Sequence, residues 1–327
     1  IMVSLLLCSS KDQASLNLYN QLIVKKGWLN PIKMYYGTVY KHSKCDVHIL
    51  LIDNLNHIFA DNIDLIHEKE MKTDVKEVLV LSKHVSKSEI PALTIHAIGL
   101  PGVTPYGEKG NSGGINGEVV PSSPRFASLF KNLLMIAEEM NLDDSFDITL
   151  ETTHHGPFLT RPTLYLEIGS TKEEWNRKDL ADIWVLTIVK CLGLEGTNAL
   201  GAWKGEGDVM ICLGGGHYAP RHKSIITNSD VWLGHILANY SLLFDGEYKE
   251  NNDVFSWHHP LEKTIEATKI AFPGGSIFVH LDRKSFKGWQ RNAIISYLEN
   301  RNIPVYRGKQ ILMLHKNKSS SIIGDES

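Results

Sequence analysis

A chain of 327 residues with 43% hydrophobic and 22% charged residues has the composition of an ordinary soluble globular protein, long enough for one large domain or two moderate ones. Its formal charge of −3 excludes a generic, charge-driven nucleic-acid binder and makes DNA an unexpected partner, while leaving room for a local basic patch that grips part of an RNA. No apolar run approaches the roughly 20 residues that a membrane span needs, and Cys8, Cys45, Cys191 and Cys212 lack metal-type CxxC spacing, which predicts buried thiols in a reducing, cytoplasmic or organellar compartment.

Short apolar runs bounded by turn residues predict strands at about 3–9, 47–53, 76–82, 92–98, 145–151, 163–168, 208–213, 276–281 and 309–314. The first run begins at Met2; it is too short for a secretory signal and lacks that signal's basic start, so it reads as a buried strand. Helical patterns lie between many of these runs. Ser123 and Pro124 punctuate the start of one, followed by Phe126, Leu129, Phe130, Leu133, Ile136, Ala137 and Met140 at helical spacing. A second opens with a capping box at Ser170 or Thr171 and stops at Gly193. Others are predicted over about 230–243, over 261–271 and from Ser285 to about Glu299. The alternation predicts an α/β fold with a mixed, largely parallel central sheet flanked by helices. Residues 1–315 are expected to form one compact domain, with two lobes at about 1–100 and 120–315. They are interrupted by a Gly-rich loop at 101–121 and a polar, Asn-rich hinge at 245–254, and followed by a polar tail at 316–327.

Histidine recurs where the apolar runs end: His84 after Leu79–Leu81, His154 and His155 after Ile148–Leu150, His217 and His222 after Val209–Leu213, and His280 after Ile277–Val279. If the strands are parallel neighbours, at least five of the 15 histidines meet in a crevice at their carboxyl ends. Imidazole is suited both to proton transfer near neutral pH and to binding metals. The run Glu151-Thr152-Thr153-His154-His155-Gly156-Pro157 is the foremost catalytic candidate, since packing does not call for two adjacent histidines at a turn. In Gly214-Gly215-Gly216-His217-Tyr218-Ala219-Pro220-Arg221-His222, three glycines let backbone amides approach a phosphate or a developing oxyanion. His217 stands beside them, and Arg221 can hold an anion. Glu167 lies inside an apolar run and so requires a partner. His96 points away from the face of Leu93 and Ile95, as a satisfied core histidine does. Lys284 and Lys287 follow a strand end and open a helix, a setting suited to phosphate. No local zinc motif exists, so a metal could bind only by spatial convergence, with His84, His96, His154, Glu167, His222, His280 and Asp282 as ligand candidates.

Together, Ser82-Lys83-His84, Pro91–His96, Glu151–Pro157, Leu166–Thr171, Gly214–His222 and His280–Trp289 resemble the archaeal and plant-type (Geko-like) D-aminoacyl-tRNA deacylases, in the family's order and over most of the chain. The resemblance implies hydrolysis of the ester joining a D-amino acid, aldehyde-modified ones included, to the tRNA 3′ end, for chiral proofreading and tRNA recycling. It further implies zinc dependence, a monomer, and an α/β fold like those of peptidyl-tRNA hydrolases and nucleoside phosphorylases. On this reading His154 or His155, or a bound metal, activates water. The amides of Gly214, Gly215 and Gly216 stabilise the oxyanion, Glu151 or Glu167 orients a histidine or binds metal, and Arg221, Lys284 and Lys287 hold the terminal phosphates. The alternatives are a nucleoside phosphorylase or hydrolase, a non-catalytic tRNA-end binder and a small-molecule zinc amidohydrolase.

Overall fold

A computed structural model describes residues 2–102, 112–142, 146–244 and 257–315. The expected tail, the hinge and the centre of the Gly-rich loop lie outside these residues. In chain order the elements are β1 (Met2–Ser9), α1 (Gln13–Ile23), β2 (Ile32–Met34), β3 (Gly37–Lys41), β4 (Val47–Ile52), α2 (Ile63–Met71), β5 (Asp74–Lys83), β6 (Ala92–His96), α3 (Phe126–Glu139), β7 (Asp147–Leu150), β8 (Thr163–Gly169), α4 (Lys172–Trp175), α5 (Lys178–Leu192), β9 (Asp208–Leu213), α6 (Pro220–Thr227), β10 (Trp232–Leu237), α7 (His258–Ala271), β11 (Ser276–Leu281), α8 (Gly288–Glu299), β12 (Val305–Tyr306) and α9 (Gly308–Leu314).

The strands form an eight-stranded sheet in the order β2-β3-β4-β1-β5-β8-β6-β7 and a four-stranded sheet in the order β10-β9-β11-β12. The smaller sheet is parallel throughout. The larger one is parallel from β4 through β1 and β5 to β8, but β6 pairs antiparallel with β8 and carries β7 parallel beside it. Strands such as Leu5–Cys8 and Val78–Leu81 are buried on both faces, which is why they read as continuous apolar runs. One apolar mass, from Leu18 and Leu22 of α1, Phe130 and Leu133 of α3 and Trp184 and Ile188 of α5, covers a face of the larger sheet and continues into Met210, Cys212 and Ile236 of the smaller one. Separate clusters back the other faces, around Ile63 of α2 and around Leu261, Ile265, Ile294 and Leu298 of α7 and α8. Among the described residues no helix is long and apolar enough to cross a membrane. Cys8, Cys191 and Cys212 are buried free thiols, and Cys45 is half-buried.

Two expected elements change type. The run 309–314 is helix α9 rather than a strand: only Ile311 is buried, while Met313 and Leu314 are 84% and 63% exposed, and no described strand pairs with the segment. The expected helix at 230–243 is strand β10 followed by a 3-10 turn at Asn239–Ser241. Pairing with β9 buries Leu233–Leu237, and a Cβ at Gly234 would meet Thr268 of α7 at 2.8 Å. A short apolar run carries no periodicity that separates the two states, so the neighbour decides. The helix expected from Ser170 to Gly193 breaks at Asn176–Arg177 into α4 and α5; the capping box of Thr171 and Glu174 and the left-handed Gly193 terminus are both present.

Glu77 of β5 anchors α3 to the sheet. Its fully buried carboxylate accepts from Arg125 Nε at 2.7 Å, Ser123 Oγ at 2.5 Å and Ser4 Oγ at 2.6 Å, and Arg125 Nη1 donates onward to the carbonyls of Cys191 and Leu200. Burial alone would raise the Glu77 pKa, but Arg125 and the two hydroxyls outweigh it and hold it below its ordinary 4.5. Its contribution to stability is therefore complete above about pH 4.5 and is lost as pH falls further. Arg125→Met strands a buried carboxylate and is expected to cost about 3–5 kcal/mol in urea unfolding at neutral pH. Glu77→Gln is expected to flatten the fall in stability below pH 4.5; an unchanged acid limb contradicts this role.

Candidate active site

The site is built across β5, β8 and β6, on a carboxylate at the middle of a sheet. Glu167 of β8 stands level with Ser82 of β5 on one side and Thr94 of β6 on the other. Thr94 Oγ1 donates to Glu167 Oε2 at 3.2 Å. Because β6 runs against β5 and β8, His84 and His96 leave their strands in opposite directions, and Glu167 meets both: His84 Nδ1 at 3.4 Å and His96 Nε2 at 3.8 Å. The expectation of parallel neighbours with one carboxyl-end crevice is thus corrected. The histidines meet over the sheet, because an antiparallel β6 brings His96 back beside Tyr165.

Glu151, just beyond β7, is the second buried carboxylate and is fully enclosed. Its oxygens lie 3.0 Å from His84 Nδ1, 3.0 Å from His217 Nε2 and 3.5 Å from His154 Nε2. It forms a bridge with Tyr218, Thr152 N–H donates to His217 O at 3.0 Å, and Thr153 N–H donates to Ile236 O at 2.7 Å. The motif following β7 therefore stitches the two sheets together and carries His217 to the carboxylate. His96 and His154 stack with ring centroids 4.1 Å apart, and His155 packs edge-on against both. His155 adopts a left-handed backbone (φ 45°), an uncommon conformation for a non-glycine residue. It is held by Gly99 N–H donating to its carbonyl at 2.8 Å.

Hydrogen bonds fix the protonation of three rings. His96, His154 and His155 each set Nδ1 against a backbone carbonyl, of Ala97 at 2.9 Å, Thr152 at 2.6 Å and Gly156 at 2.6 Å respectively. A carbonyl only accepts, so Nδ1 carries the proton and Nε2 is the coordinating or basic atom. Burial pushes His155 down to about 3 and His154 well below its ordinary range, so both are neutral. Burial also opposes charge on His84, but Glu151 and Glu167 outweigh it and push it up to about 12, an imidazolium that donates Nε2–H to Tyr218 at 2.9 Å. His84 and His96 together overcome burial to hold Glu167 at about 2, with Glu167 raising His96 in turn, and His84 and His217 hold Glu151 well below its ordinary value. The basin encloses a cavity of about 190 Å³ lined by His84, His154, His155, Glu167 and His217.

Three donor sets come within 4.8 Å: His96, His154 and His155; His84, Glu151 and His217; and His96, Glu151 and Glu167. The first fits zinc in chemistry, with three imidazoles each turned by a backbone carbonyl as metal-ligating histidines are.

The other sequence-derived residues lie apart. His222, His280 and Asp282 form their own cluster: His222 Nδ1 and His280 Nδ1 are 2.8 Å apart, and Asp282 holds Arg221 at 2.7 Å. They share none of the three donor sets. Gly214 and Gly215 do not offer their amides to a ligand, because these donate to Leu237 O and Ser285 Oγ at 2.8 Å each. Their positive φ values of 102° and 91° shape the turn that delivers His217, and a Cβ at Gly214 would crowd Asp282 and Ser285 at 3.0 Å; Gly216 is open. Lys284 and Lys287 are exposed beside that turn. Sequence reasoning missed Asp12, His57 and Tyr165 on the opposite cavity wall, where His57 Nε2 lies 3.4 Å from Asp12 Oδ2 and its Nδ1 3.4 Å from the Tyr165 hydroxyl. Asp12 reads as the helix cap that it also is, accepting from Ser15 N–H at 2.8 Å, and His57 ends no apolar run.

Comparison with known proteins bears on what this basin does. A family model described as D-aminoacyl-tRNA deacylase matches residues 71–306, which takes in every basin residue from His84 to His217. A D-aminoacyl-tRNA deacylase of Arabidopsis thaliana is 39% identical over 314 residues, covering 93% of this chain and 98% of its own length. One from Methanosarcina mazei is 30% identical over 311 residues, covering 94% and 92%. A crystal structure of a conserved protein of unknown function superposes with a TM-score of 0.76 at 24% identity, covering 97% of this chain and 99% of its own, which shows a shared fold.

If Glu151 supplies much of the charge that keeps His84 protonated, Glu151→Gln leaves only Glu167 to do so. The His84 imidazolium is then expected to titrate below its wild-type value of about 12, read by NMR of labelled imidazoles. An unchanged titration would remove Glu151 from that role.

Proposed function

Because the chain belongs to the D-aminoacyl-tRNA deacylase family, we propose that the histidine–glutamate basin is where it hydrolyses the ester between a D-amino acid and the tRNA 3′ end. The chain is a hydrolase of that ester, acting in translation quality control. The family match selects this activity over a nucleoside phosphorylase, a non-catalytic RNA-end binder or a small-molecule amidohydrolase. The observation that carries the location is the gathering of five histidines and two glutamates in one cluster of donor sets, of which His84, His154, His155, His217 and Glu167 line a 190 Å³ cavity.

An aminoacyl ester is already activated, so water suffices as nucleophile if its proton has somewhere to go. His217 is the general base in this reading. Its ring is 29% exposed, against 4% for His84 and His154, so water reaches it. Its Nε2 lies 3.0 Å from Glu151, and the carboxylate favours a proton on that nitrogen, which leaves Nδ1 as the basic one in this reading. Water adds to the ester carbonyl carbon as His217 takes its proton; the carbon–oxygen bond to the ribose then breaks, and the same proton passes to the departing ribose oxygen. The His84 imidazolium and Tyr218 hold Glu151 and the His217 turn in place. His96, His154 and His155 would hold zinc, which would supply Lewis-acid polarisation of the carbonyl and a more acidic bound water. No described cysteine lines the cavity, and nothing in this chemistry requires one.

Purified protein is expected to release D-Tyr from D-Tyr-tRNA and to leave L-Tyr-tRNA largely intact. His217→Ala should lower kcat by about 10²-fold or more. His154→Ala and His155→Ala should lower the zinc retained after dialysis, measured by atomic absorption, and chelator-treated wild type should regain both zinc and turnover on zinc addition. Full turnover in folded His217→Ala rejects its role as base, and unaltered zinc content in both other variants rejects the three-histidine set.

A further inference from the structure

A second cleft, of about 370 Å³, opens where β11 ends, between α6 and the start of α9. It is lined by Arg221, Arg283 and Arg307, with His280 and Asp282 among its other walls. Three arginines thus share this cleft with one carboxylate, and that carboxylate is engaged by Arg221 at 2.7 Å. Among the described residues, the side chains of Arg283 and Arg307 form no ion pair. Such an excess of fixed positive charge in a concave site attracts phosphate, and guanidinium is the group that grips it in two-point fashion.

His280 adds a second, different kind of information. It is only 7% exposed, and its hydrogen bonds have one direction. The Gly214 carbonyl can only accept, so His222 Nε2, 3.2 Å away, carries a proton. In neutral His222 the Nδ1 is then a lone pair, and His280 Nδ1–H donates to it at 2.8 Å. That leaves His280 Nε2 as a bare acceptor with no hydrogen-bond partner among the described residues, near Gly308 on the cleft wall, where a Cβ would approach it to 3.8 Å. An acceptor beside three phosphate-binding donors calls for a ligand with a hydroxyl next to its phosphate. A ribose 2′-hydroxyl beside a phosphodiester has this pattern, and DNA lacks it.

We propose that this cleft is an RNA backbone site that holds a phosphodiester of the tRNA with Arg283, Arg307 and Arg221 and reads the neighbouring 2′-hydroxyl with His280 Nε2. It rests on the deacylase reading for the identity of the RNA. The cleft is coupled to the basin through one turn: His222 holds Gly214 O, Ser285 Oγ accepts from Gly215 N–H at 2.8 Å, and two residues later His217 reaches Glu151. RNA seated here therefore lies beside the loop that presents the proposed base, which separates gripping of the nucleic acid from hydrolysis of the ester.

The test is binding of an uncharged tRNA acceptor-stem hairpin, and of a DNA hairpin of the same sequence, by fluorescence anisotropy over a range of salt. Wild type should prefer the RNA. The double variant Arg283→Ala/Arg307→Ala, altered at two exposed residues, should weaken both hairpins by about tenfold or more and lower the salt slope by about one to two. His280→Phe should weaken the RNA alone. Unchanged affinity and slope in the arginine variant would overturn the site, as would equal wild-type affinity for RNA and DNA. Weakened binding of inorganic phosphate with undiminished RNA affinity in the arginine variant would make it a small-anion site instead, and also overturn it. Since the hairpins carry no amino acid, absence of D-aminoacyl-tRNA hydrolysis by wild type would count against the deacylase reading and leave this measurement standing.

Discussion

Everything at the centre of this molecule follows from the burial of two carboxylates. Glu151 is wholly enclosed and Glu167 is 4% exposed, and an uncompensated buried carboxylate costs several kcal/mol. His84 answers both, at 3.0 and 3.4 Å, and is thereby fixed as an imidazolium. His84 and, beside Glu167, His96 carry the positive charge near the carboxylates, while burial and the neighbouring His96 keep His154 and His155 neutral. One group of histidines balances charge while another offers lone pairs.

The need to satisfy Glu151 also explains the architecture. The larger sheet can reach it with His84 and His154, but His217 comes from the turn after β9 in the smaller sheet. The two sheets share an apolar mass through Met210, Cys212 and Ile236, and the Thr152–His217 and Thr153–Ile236 backbone bonds set their register. The basin is therefore a junction site: neither sheet contains it, and its geometry is only as firm as the joint. The engaged amides of Gly214 and Gly215 serve that joint, which is a structural use of glycines whose sequence suggested an anion cradle.

The sequence reading singled out residues whose chemistry conflicts with packing. Paired histidines at a strand end, a glutamate inside an apolar run and a histidine after three glycines are hard to explain as core or surface, and His84, Glu151, His154, His155, Glu167 and His217 all meet. It failed where a residue has an adequate local role. Asp12 is a helix cap, and His57 ends no apolar run, yet both line the cavity. It also failed where two chemically similar clusters had to be told apart, since His222 and His280 end or follow strands just as His84 and His154 do.

By itself the sequence determined the α/β class, the family and the residue types that carry the chemistry, because strand burial, helix caps and motif composition are local properties written in short segments. Only the tertiary structure decided that β6 runs against β8, that 232–237 is a strand and 308–314 a helix, which histidines share Glu151 and Glu167, and which stand with Arg221 and Asp282 in a separate cleft. Those outcomes depend on which distant segment lies alongside, and thus on pairings between residues tens to more than a hundred positions apart that no single segment encodes.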